Sequence, residues 1–241
     1  MRIIAMKSIY SKFPAVALAG ISLFGITALA YADGMKPESP LVIINVDKGR
    51  GETTMRVKNT DGEAALLHTN VYDIPEDTET VVVVTPPVAR VEAGQQQQVR
   101  FMYQGEDLQT QRLKRVSFDS IGQAKSTPGQ ATVALSVRQD IPLLLHPASL
   151  PKNAKPWELL QWSLQGNQLT VHNDSAYVVR LETEVTLLPS GTKASLPKSY
   201  LLPGEKHAVA SAAGATTDDR VEIKPATVYG FSVKAYEAPL K

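Results

Sequence analysis

The residue types that most often carry catalysis are sparse and scattered in this sequence. The four histidines, His68, His146, His172 and His207, lie far apart, and none stands in an HxH or HExxH pattern that could hold zinc. No G-x-S-x-G elbow, Walker loop or G-x-G-x-x-G is found. The absence of cysteine excludes disulfides, cysteine-ligated metals and a thiol nucleophile. The sequence therefore predicts no enzyme, no metal site and no cofactor.

Three polar motifs have plainer explanations than a binding site. Glu182 and Glu184 alternate with apolar residues, as on the solvated face of a strand. Asp218 and Asp219 lie in a loop rich in alanine and threonine, which is typical of turn chemistry. Asn173 begins a sequence that formally matches a glycosylation acceptor, and we interpret it as a turn.

The charge balance argues against a nucleic-acid partner. Lys plus Arg total 25 and Asp plus Glu total 24, so the formal net charge is only +1. A strongly basic surface is therefore not predicted. No residue pattern indicates a small-molecule substrate either.

The N-terminus has the features of a cleaved signal peptide. Basic residues and no acids precede an uncharged run, Phe13–Ala32, which ends in the A-x-A sequence of Ala30 and Ala32. We predict export with cleavage after Ala32. A membrane anchor is the alternative, since the run is 20 residues long, but Pro14 and two glycines within it favour cleavage.

Beyond that segment the apolar residues follow the two-residue period of strands rather than the spacing of helices. The predicted strands of the first half are Leu41–Val46, Glu52–Asn59, Ala64–Ile74, Glu79–Thr85, Gln97–Gln104, Lys114–Ile121 and Ala131–Leu145. About seven strands in about 110 residues are typical of an immunoglobulin-like sandwich.

A segment with three prolines and no periodicity, His146–Pro156, separates this first unit from a second run of strands. We predict an all-β fold with two immunoglobulin-like β-sandwich domains. The predicted boundaries are 1–32 for the signal peptide, 33–147 for the first domain, 148–157 for the hinge and 158–241 for the second domain.

Three motifs, in this order, resemble those of the periplasmic pilus-assembly chaperones of chaperone–usher systems. Thr85–Phe101 contains Thr-Pro-Pro, a basic residue, an acidic-x-Gly turn and an apolar-Arg-apolar strand. Ala131–Pro147 is similar to the last strand of the family's first domain and its linker, and Tyr200–Glu205 to its second-domain turn. The sequence resembles a divergent branch of that family.

The resemblance implies a boomerang arrangement of the two domains and a function without covalent chemistry. Members of the family bind newly exported pilus or fimbrial subunits in the periplasm and lend an edge strand that completes each subunit, which is donor-strand complementation. The expected partners are pilus subunits and the outer-membrane usher, with self-association open for the free chaperone.

Aligned with the family's donor strand, Val133, Leu135 and Val137 fall on the positions that insert into the subunit. They recur at period two, so their side chains share one face of the strand. The alternative is that these three residues face the core of their own domain. The residues alone do not separate the two interpretations.

The family also holds the C-terminal carboxylate of the subunit with two basic side chains, and here the sequence departs from the pattern. At the two positions where the family has these basic residues, this sequence has Ile43 and Pro142 instead. The nearest basic candidates for the anchor are Arg138, Arg115 and Lys114, and each taken singly is better explained as a solvated surface charge. Pro142 also lacks a backbone donor, so we expect the strand to be bulged or unpaired there.

His146 and Pro147 occupy the family's hinge, where a basic residue commonly makes an interdomain ion pair. A neutral histidine would weaken that link at pH 7 and strengthen it on acidification. The nearby position where the family often has an acidic residue is occupied here by Leu113. The plainer interpretation of His146 is a partly exposed side chain that makes hydrogen bonds.

Two other classes of protein remain as alternatives. A structural pilus subunit or adhesin would carry a donor segment at its mature N-terminus, but Asp33–Pro40 is short and lacks alternating apolar residues. A carbohydrate-binding module would need exposed aromatic residues, whereas aromatics make up only 6% and Trp157 and Trp162 are expected in the core or hinge.

Overall fold

The described residues are predominantly β-strand. The structure, a computed structural model, describes residues 34–122, 136–210, 217–226 and 233–241. The predicted signal peptide lies outside them. Within these ranges there is one short 3-10 helix, Pro156–Leu159, and no helix is long and apolar enough to cross a membrane.

The first nine strands form one sandwich of two sheets. The strands are β1 (Met35–Pro37), β2 (Val42–Val46), β3 (Arg50–Asn59), β4 (Ala65–Tyr72), β5 (Val82–Thr85), β6 (Val88–Val91), β7 (Gln96–Gln104), β8 (Arg112–Gly122) and β9 (Arg138–Pro147). One sheet has the antiparallel order β1-β3-β7-β5. The other has the order β2-β9-β8-β4-β6, in which only the β2–β9 pair is parallel.

Side-chain alternation explains how these strands close a core. In β3, Met55 and Val57 are buried, while Arg56 and Lys58 at the alternate positions face solvent. Phe101 of β7 and Phe118 of β8 meet edge to face between the sheets, with ring centroids 6.4 Å apart. Full burial of such side chains stabilises the sandwich by roughly 1.5–3 kcal/mol each.

Pro142 is accommodated without a bulge, contrary to part of the prediction. The pairing of β9 with β8 runs without interruption from Arg138, opposite Asp119, to Leu145, opposite Arg112. On its other side β9 is paired by β2 only from Leu143 onward. Pro142 therefore lies where β9 has no second strand beside it, which is where a missing backbone donor is tolerated.

The second sandwich is built from shorter strands in three small sheets. The strands are β10 (Gln161–Gln165), β11 (Gln168–His172), β12 (Val179–Leu181), β13 (Glu184–Leu188), β14 (Lys193–Ser195), β15 (Tyr200–Leu201), β16 (Lys206–Ala210), β17 (Arg220–Ile223), β18 (Pro225–Ala226) and β19 (Tyr236–Pro239). The sheet orders are β10-β11-β16, β15-β12-β18 and β14-β13-β17-β19. Both tryptophans, Trp157 and Trp162, are buried in this core.

A fully buried asparagine closes one turn of the first sandwich. The Nδ2 of Asn59 donates to the carbonyls of Glu63 (2.8 Å) and Val91 (2.9 Å). Its backbone N–H donates to Gln95, and its own carbonyl accepts from the N–H of Gly94 at 3.0 Å. Gly94 adopts a φ of 72°, a conformation that favours glycine.

Asn173 repeats this arrangement in the second sandwich. Its Nδ2 donates to the carbonyls of Tyr177 (2.8 Å) and Leu201 (3.1 Å). Its backbone bonds to Glu205 and to Gly204, whose φ is 76°. The Oδ1 accepts from the N–H two residues on. Since the side chain is 0% exposed, the folded chain offers no glycosylation acceptor there and the predicted turn is confirmed.

An apolar cluster joins the two sandwiches. It consists of Leu41, Ile74, Leu113 and Leu144 from the first sandwich and Val178 from the second, all buried. Leu113, which stands where an acidic residue was expected, packs in this cluster. The contact between the sandwiches is therefore apolar at the point where the resemblance implied an ion pair.

Candidate functional site

The candidate site is the unpaired edge of β9. Among the described residues, Arg138–Pro142 pair with β8 alone, because β2 begins its pairing at Leu143. The pairing with β8 extends upstream, where Ser120 donates its N–H to the carbonyl of Val137 at 3.1 Å. A strand edge with unpaired backbone groups is a template for another strand.

Of the three predicted donor residues, only Val137 belongs to the part of the chain that the structure describes. Val133 and Leu135 lie outside the described residues. Val137 is half-buried and lies close to Gly34. A side chain at that glycine would bring its Cβ within 3.3 Å of the Val137 Cβ. By two-residue period Val137 shares its side of the strand with Ile141 and Leu143, which are buried. The donor role of the three residues stays a prediction.

Arg138 is ion-paired on the outer face of this sheet. Its Nε donates to Asp119 Oδ1 at 2.6 Å, and His68 Nδ1 lies 3.2 Å from Asp119 Oδ2. Burial opposes ionisation of Asp119, but hydrogen bonds from Arg138 and His68 outweigh it and lower the pKa of the carboxyl. The Arg138 side chain is 66% exposed, so for this residue the expected solvated charge is found.

Arg115 is held by a second acidic group on the same face. Its Nε donates to Asp140 Oδ1 at 2.8 Å, and the hydroxyl of Tyr72 also donates to Asp140. Burial and the Asp140 contact raise the pKa of the Tyr72 hydroxyl, so it stays protonated as a donor. One third of the Arg115 side chain remains exposed.

Lys114 is not a surface charge, and its position argues against an anchor role. The side chain is 1% exposed. Its Nζ donates to Asp73 Oδ1 (2.7 Å), Asp77 Oδ1 (2.8 Å), the Asp77 carbonyl (2.8 Å) and the Glu79 carbonyl (2.7 Å). An ammonium group carries three protons, so this one is fully engaged and has nothing left for a ligand.

The structure adds a cation that sequence reasoning missed. Arg180 of β12 lines a small cavity together with Pro142, one of the two positions expected to be basic, and with Leu41 and Val178. Its Nη1 is buried and has no hydrogen-bond partner among the described residues. Burial, and secondly the charge of Arg115, lower the pKa of Arg180. The sequence does not predict that this arginine is buried, because a single polar residue in a strand is typical of a solvent-facing position.

The hinge is tied by neutral hydrogen bonds rather than an ion pair. Val178 donates its N–H to Gln111 Oε1 at 2.8 Å, which leaves the Gln111 Nε2 facing His146 Nδ1, also at 2.8 Å. His146 Nδ1 must then accept, and its Nε2 donates to the Leu150 carbonyl at 3.1 Å. Leu150 in turn donates its N–H to the carbonyl of Pro147 at 3.0 Å, closing a turn directly after β9.

This arrangement corrects the expectation for His146. The side chain makes hydrogen bonds as the plainer interpretation held, but it is 6% exposed rather than partly exposed. Among the described residues, His146 bonds to Gln111 and Leu150 and pairs with no carboxylate, so the interdomain ion pair that the resemblance implied is not made at this position.

An ion pair between the sandwiches is present elsewhere. Lys198 Nζ lies 2.6 Å from Glu76 Oε1, and the hydroxyl of Tyr200 donates to Glu76 Oε2 at 2.9 Å. Lys198 also pairs with Glu205 of its own domain. Burial opposes ionisation of Glu76, but these donors outweigh it and lower its pKa.

Replacing Gln111 with leucine should loosen the hinge. The change strands the Val178 N–H and His146 Nδ1 in a buried site, at a cost of about 1–3 kcal/mol. We expect hydrogen exchange at the Val178 amide to accelerate by about 10- to 100-fold. Gln161→Leu, at an exposed position of β10, is the matched control and should leave that amide unchanged. Unchanged exchange in Gln111→Leu would contradict the assigned role.

Two alternatives to the edge-strand interpretation lose their support. The N-terminal segment is not a free donor strand, because β1 pairs with β3 of its own domain and Met35 is buried. Neither tryptophan offers an exposed ring for stacking on a sugar, since Trp157 and Trp162 are buried in the second core.

Comparisons with known families cover nearly all of the described chain. Residues 34–151 match the family described as pili and flagellar-assembly chaperone, PapD N-terminal domain. Residues 155–236 match the family described as pili assembly chaperone PapD, C-terminal domain. The fimbrial chaperone YhcA of Escherichia coli K12, itself uncharacterised, is 42% identical over 212 residues, which are 87% of this chain and 92% of the relative.

Solved structures share the fold. A complex of SafA pilin with the SafB chaperone of Salmonella enterica contains a chain that superposes with a TM-score of 0.69 at 20% identity, covering 87% of this chain and 98% of that one. The Escherichia coli chaperone DraB superposes with a TM-score of 0.68 at 22% identity, covering 86% and 99%. These matches confirm the predicted all-β, two-domain fold.

Proposed function

Because this chain belongs to the family of pilus-assembly chaperones, we propose that it captures newly exported pilus subunits by lending them the free edge of β9. Membership confirms the resemblance in the sequence and the chaperone function expected from it. The solved structure with SafB is a complex with SafA pilin, which supports a pilus subunit as the partner of this chain. The family is one of chaperones, and the proposal involves no catalysis.

The observation that carries the proposal is the unpaired edge at Arg138–Pro142. An added strand can form a backbone ladder there because, within the described ranges, this part of β9 has a neighbouring strand, β8, on one side only. The ladder supplies affinity for any subunit, and alternating side chains supply the fit. Capture also hides the apolar groove of an incomplete subunit, which would otherwise aggregate.

The side chains that fill the subunit are proposed to be Val133, Leu135 and Val137. In the sequence they stand at every second position ahead of Ile141 and Leu143, and the two-residue period of a strand would put side chains at this spacing on one side. Each could contribute roughly 1.5–3 kcal/mol when buried, before the cost of ordering the strand.

The place of action is proposed to be the periplasm, with delivery to an outer-membrane usher. The basic N-terminal residues, the uncharged run and the A-x-A ending support export with cleavage after Ala32. A chaperone with no disulfides can fold in that compartment, since its stability comes from the two apolar cores.

The test is co-purification from the periplasm of the native host under conditions where pili are made. The tagged wild-type chain should retain exported pilus subunits, identified by mass spectrometry. Leu135→Glu should reduce the retained amount at least 10-fold, because a carboxylate would be buried in the subunit without a partner. Ala134→Glu, one residue away and assigned to the opposite face by the two-residue period of a strand, is the matched control and should retain them.

Two outcomes would contradict the proposal. Subunits retained equally by Leu135→Glu would move the contact away from this row of residues. No pilus subunit retained by the wild-type chain would overturn the proposed partner itself.

A further inference from the structure

The outer face of the sheet β1-β3-β7-β5 carries more cations than acids. Among the described residues its exposed basic side chains are Lys36, Arg50, Arg56, Lys58 and Arg100, and its exposed acidic side chains are Glu38 and Glu52. We call this surface the basic face. The whole chain has a formal net charge of only +1, so positive charge is concentrated on this face rather than spread evenly.

The acids of the basic face leave part of its positive charge uncompensated. Glu38 and Glu52 each pair with an arginine of the same face. Lys36 and Lys58 stand directly opposite each other in the β1–β3 ladder, and neither has an acidic partner among the described residues. Like charges directly opposite each other on neighbouring strands destabilise a sheet, so the fold itself gains nothing from this arrangement.

The other sheet of the same sandwich treats its exposed arginines differently. On the outer face of that sheet each arginine has a carboxylate partner, in the pairs Arg90–Glu92, Arg115–Asp140 and Arg138–Asp119. The excess of positive charge is therefore a property of one face and not of the whole domain.

The remaining side chains of the basic face suit phosphate groups better than a protein surface. Gln96 and Gln98 are exposed between the cations, and their amides can donate to phosphate oxygens. Among the described residues the face exposes one large apolar side chain, Val83, and no aromatic ring. Protein interfaces favour aromatic residues and are depleted in lysine, whereas attraction to anionic headgroups grows with each lysine or arginine.

We propose that the basic face docks the chain on the headgroups of an anionic lipid membrane. Docking on this side leaves the candidate site uncovered, because the free edge of β9 belongs to the other sheet. The attraction is electrostatic and is screened over about 8 Å at physiological ionic strength, so the face must lie against the headgroups. This inference is separate from the proposed function, since it involves neither a subunit nor the free edge.

The first test is co-sedimentation of the chain, purified from the periplasm, with sucrose-loaded vesicles. Vesicles of equal parts phosphatidylglycerol and phosphatidylcholine should bind it at low ionic strength, and vesicles of phosphatidylcholine alone should not. Raising the salt from about 0.01 M to about 0.15 M shortens the screening length from about 30 Å to about 8 Å and should weaken binding by about 10-fold.

A pair of charge reversals tests the face itself. Lys36→Glu combined with Lys58→Glu should weaken binding to the anionic vesicles by about 100-fold, because each substitution turns an attraction into a repulsion. The two glutamates repel each other as the two lysines do, so an unchanged melting temperature is expected and shows that the variant is folded. Lys193→Glu combined with Lys206→Glu makes the same change of charge at exposed positions of the second sandwich and should stay within about 3-fold of wild-type binding.

A second measurement locates the contact on the wild-type charge pattern. The chain has no cysteine, so Thr54→Cys, in the middle of the basic face, can carry a single nitroxide label. On anionic vesicles this label should lose its collisions with a water-soluble paramagnetic relaxant. The same label on Ser195→Cys, exposed on the second sandwich, should keep them.

Several results would overturn membrane docking by the basic face. Equal binding to both kinds of vesicle would show that the attachment does not depend on charge. An equal loss in the two double variants would show that net charge decides and not the face, and protection of the Ser195 label alone would place the contact on the second sandwich. Absence of binding at low ionic strength would overturn the lipid surface and point to an acidic protein partner. The proposed function stands or falls independently of each result.

Discussion

Lys114→Met is expected to lower the free energy of unfolding of the first domain by about 3 kcal/mol. Methionine has nearly the length of lysine, so the cavity stays filled and the loss is that of the ammonium group. Asp77 and Asp73 would keep their charges with only 15% and 25% of their side chains exposed, and two backbone carbonyls would lose a donor. Urea denaturation followed by far-ultraviolet circular dichroism measures the change.

The control is Lys193→Met, which removes an exposed lysine paired with Glu184 on the second sandwich. It should leave the denaturation midpoint unchanged within experimental error, because exposed ion pairs contribute little. Equal effects of the two substitutions would contradict the role assigned to the buried cluster.

The same cluster sets a pH dependence. Burial opposes ionisation of Asp77, but hydrogen bonds from Arg112 and Lys114 outweigh it and hold the pKa below its ordinary value. The carboxylate therefore stabilises the fold fully above the ordinary carboxyl range, and this contribution is lost as the pH falls below about 4. In Lys114→Met the pKa of Asp77 rises toward its ordinary value, so unfolding free energy should fall less between about pH 5 and pH 3 than in the wild type.

Asn173→Ala is expected to destabilise the second domain by about 3 kcal/mol. The substitution leaves buried carbonyls of Tyr177 and Leu201 without their donor and frees the turn that Gly204 closes. Trp157 and Trp162 are the only tryptophans and both lie in the second core, so tryptophan fluorescence reports directly on this domain. The urea midpoint by fluorescence should fall.

Two controls bracket that result. Asp174→Ala, at the exposed neighbouring residue of the same turn, should leave the fluorescence midpoint unchanged. Asn59→Ala should lower the transition seen by circular dichroism far more than the one seen by fluorescence, because it acts in the first domain. A fluorescence midpoint that Asn173→Ala does not move would contradict the role of this asparagine.

The long strands of the first domain could be predicted because their side chains alternate. Met55 and Val57 in β3, and Val99 and Phe101 in β7, are buried at every second position. The strands β1 and β6 were not predicted, since three or four residues are too few to show a period and β6 directly follows two prolines. Short edge strands depend on their neighbours for their conformation.

The charged residues of the site were harder to predict because their roles depend on distant partners. In β8 most residues are buried on both faces, so alternation does not show that Lys114 points inward. The partners of Lys114 come from a turn about 40 positions away in the chain. The environment of Arg180 depends on Pro142, which lines the same cavity, and on the charge of Arg115. Both residues belong to the other domain.

The buried asparagines mark corresponding positions in the two sandwiches. Asn59 with Gly94 and Asn173 with Gly204 make the same backbone and side-chain bonds, although the two spacings along the chain differ. Duplication of one ancestral sandwich would leave this trace, since surface residues and loop lengths drift while a buried group must keep its partners. An internal alignment of the two halves should be anchored on these asparagine–glycine pairs, with the insertions placed between them.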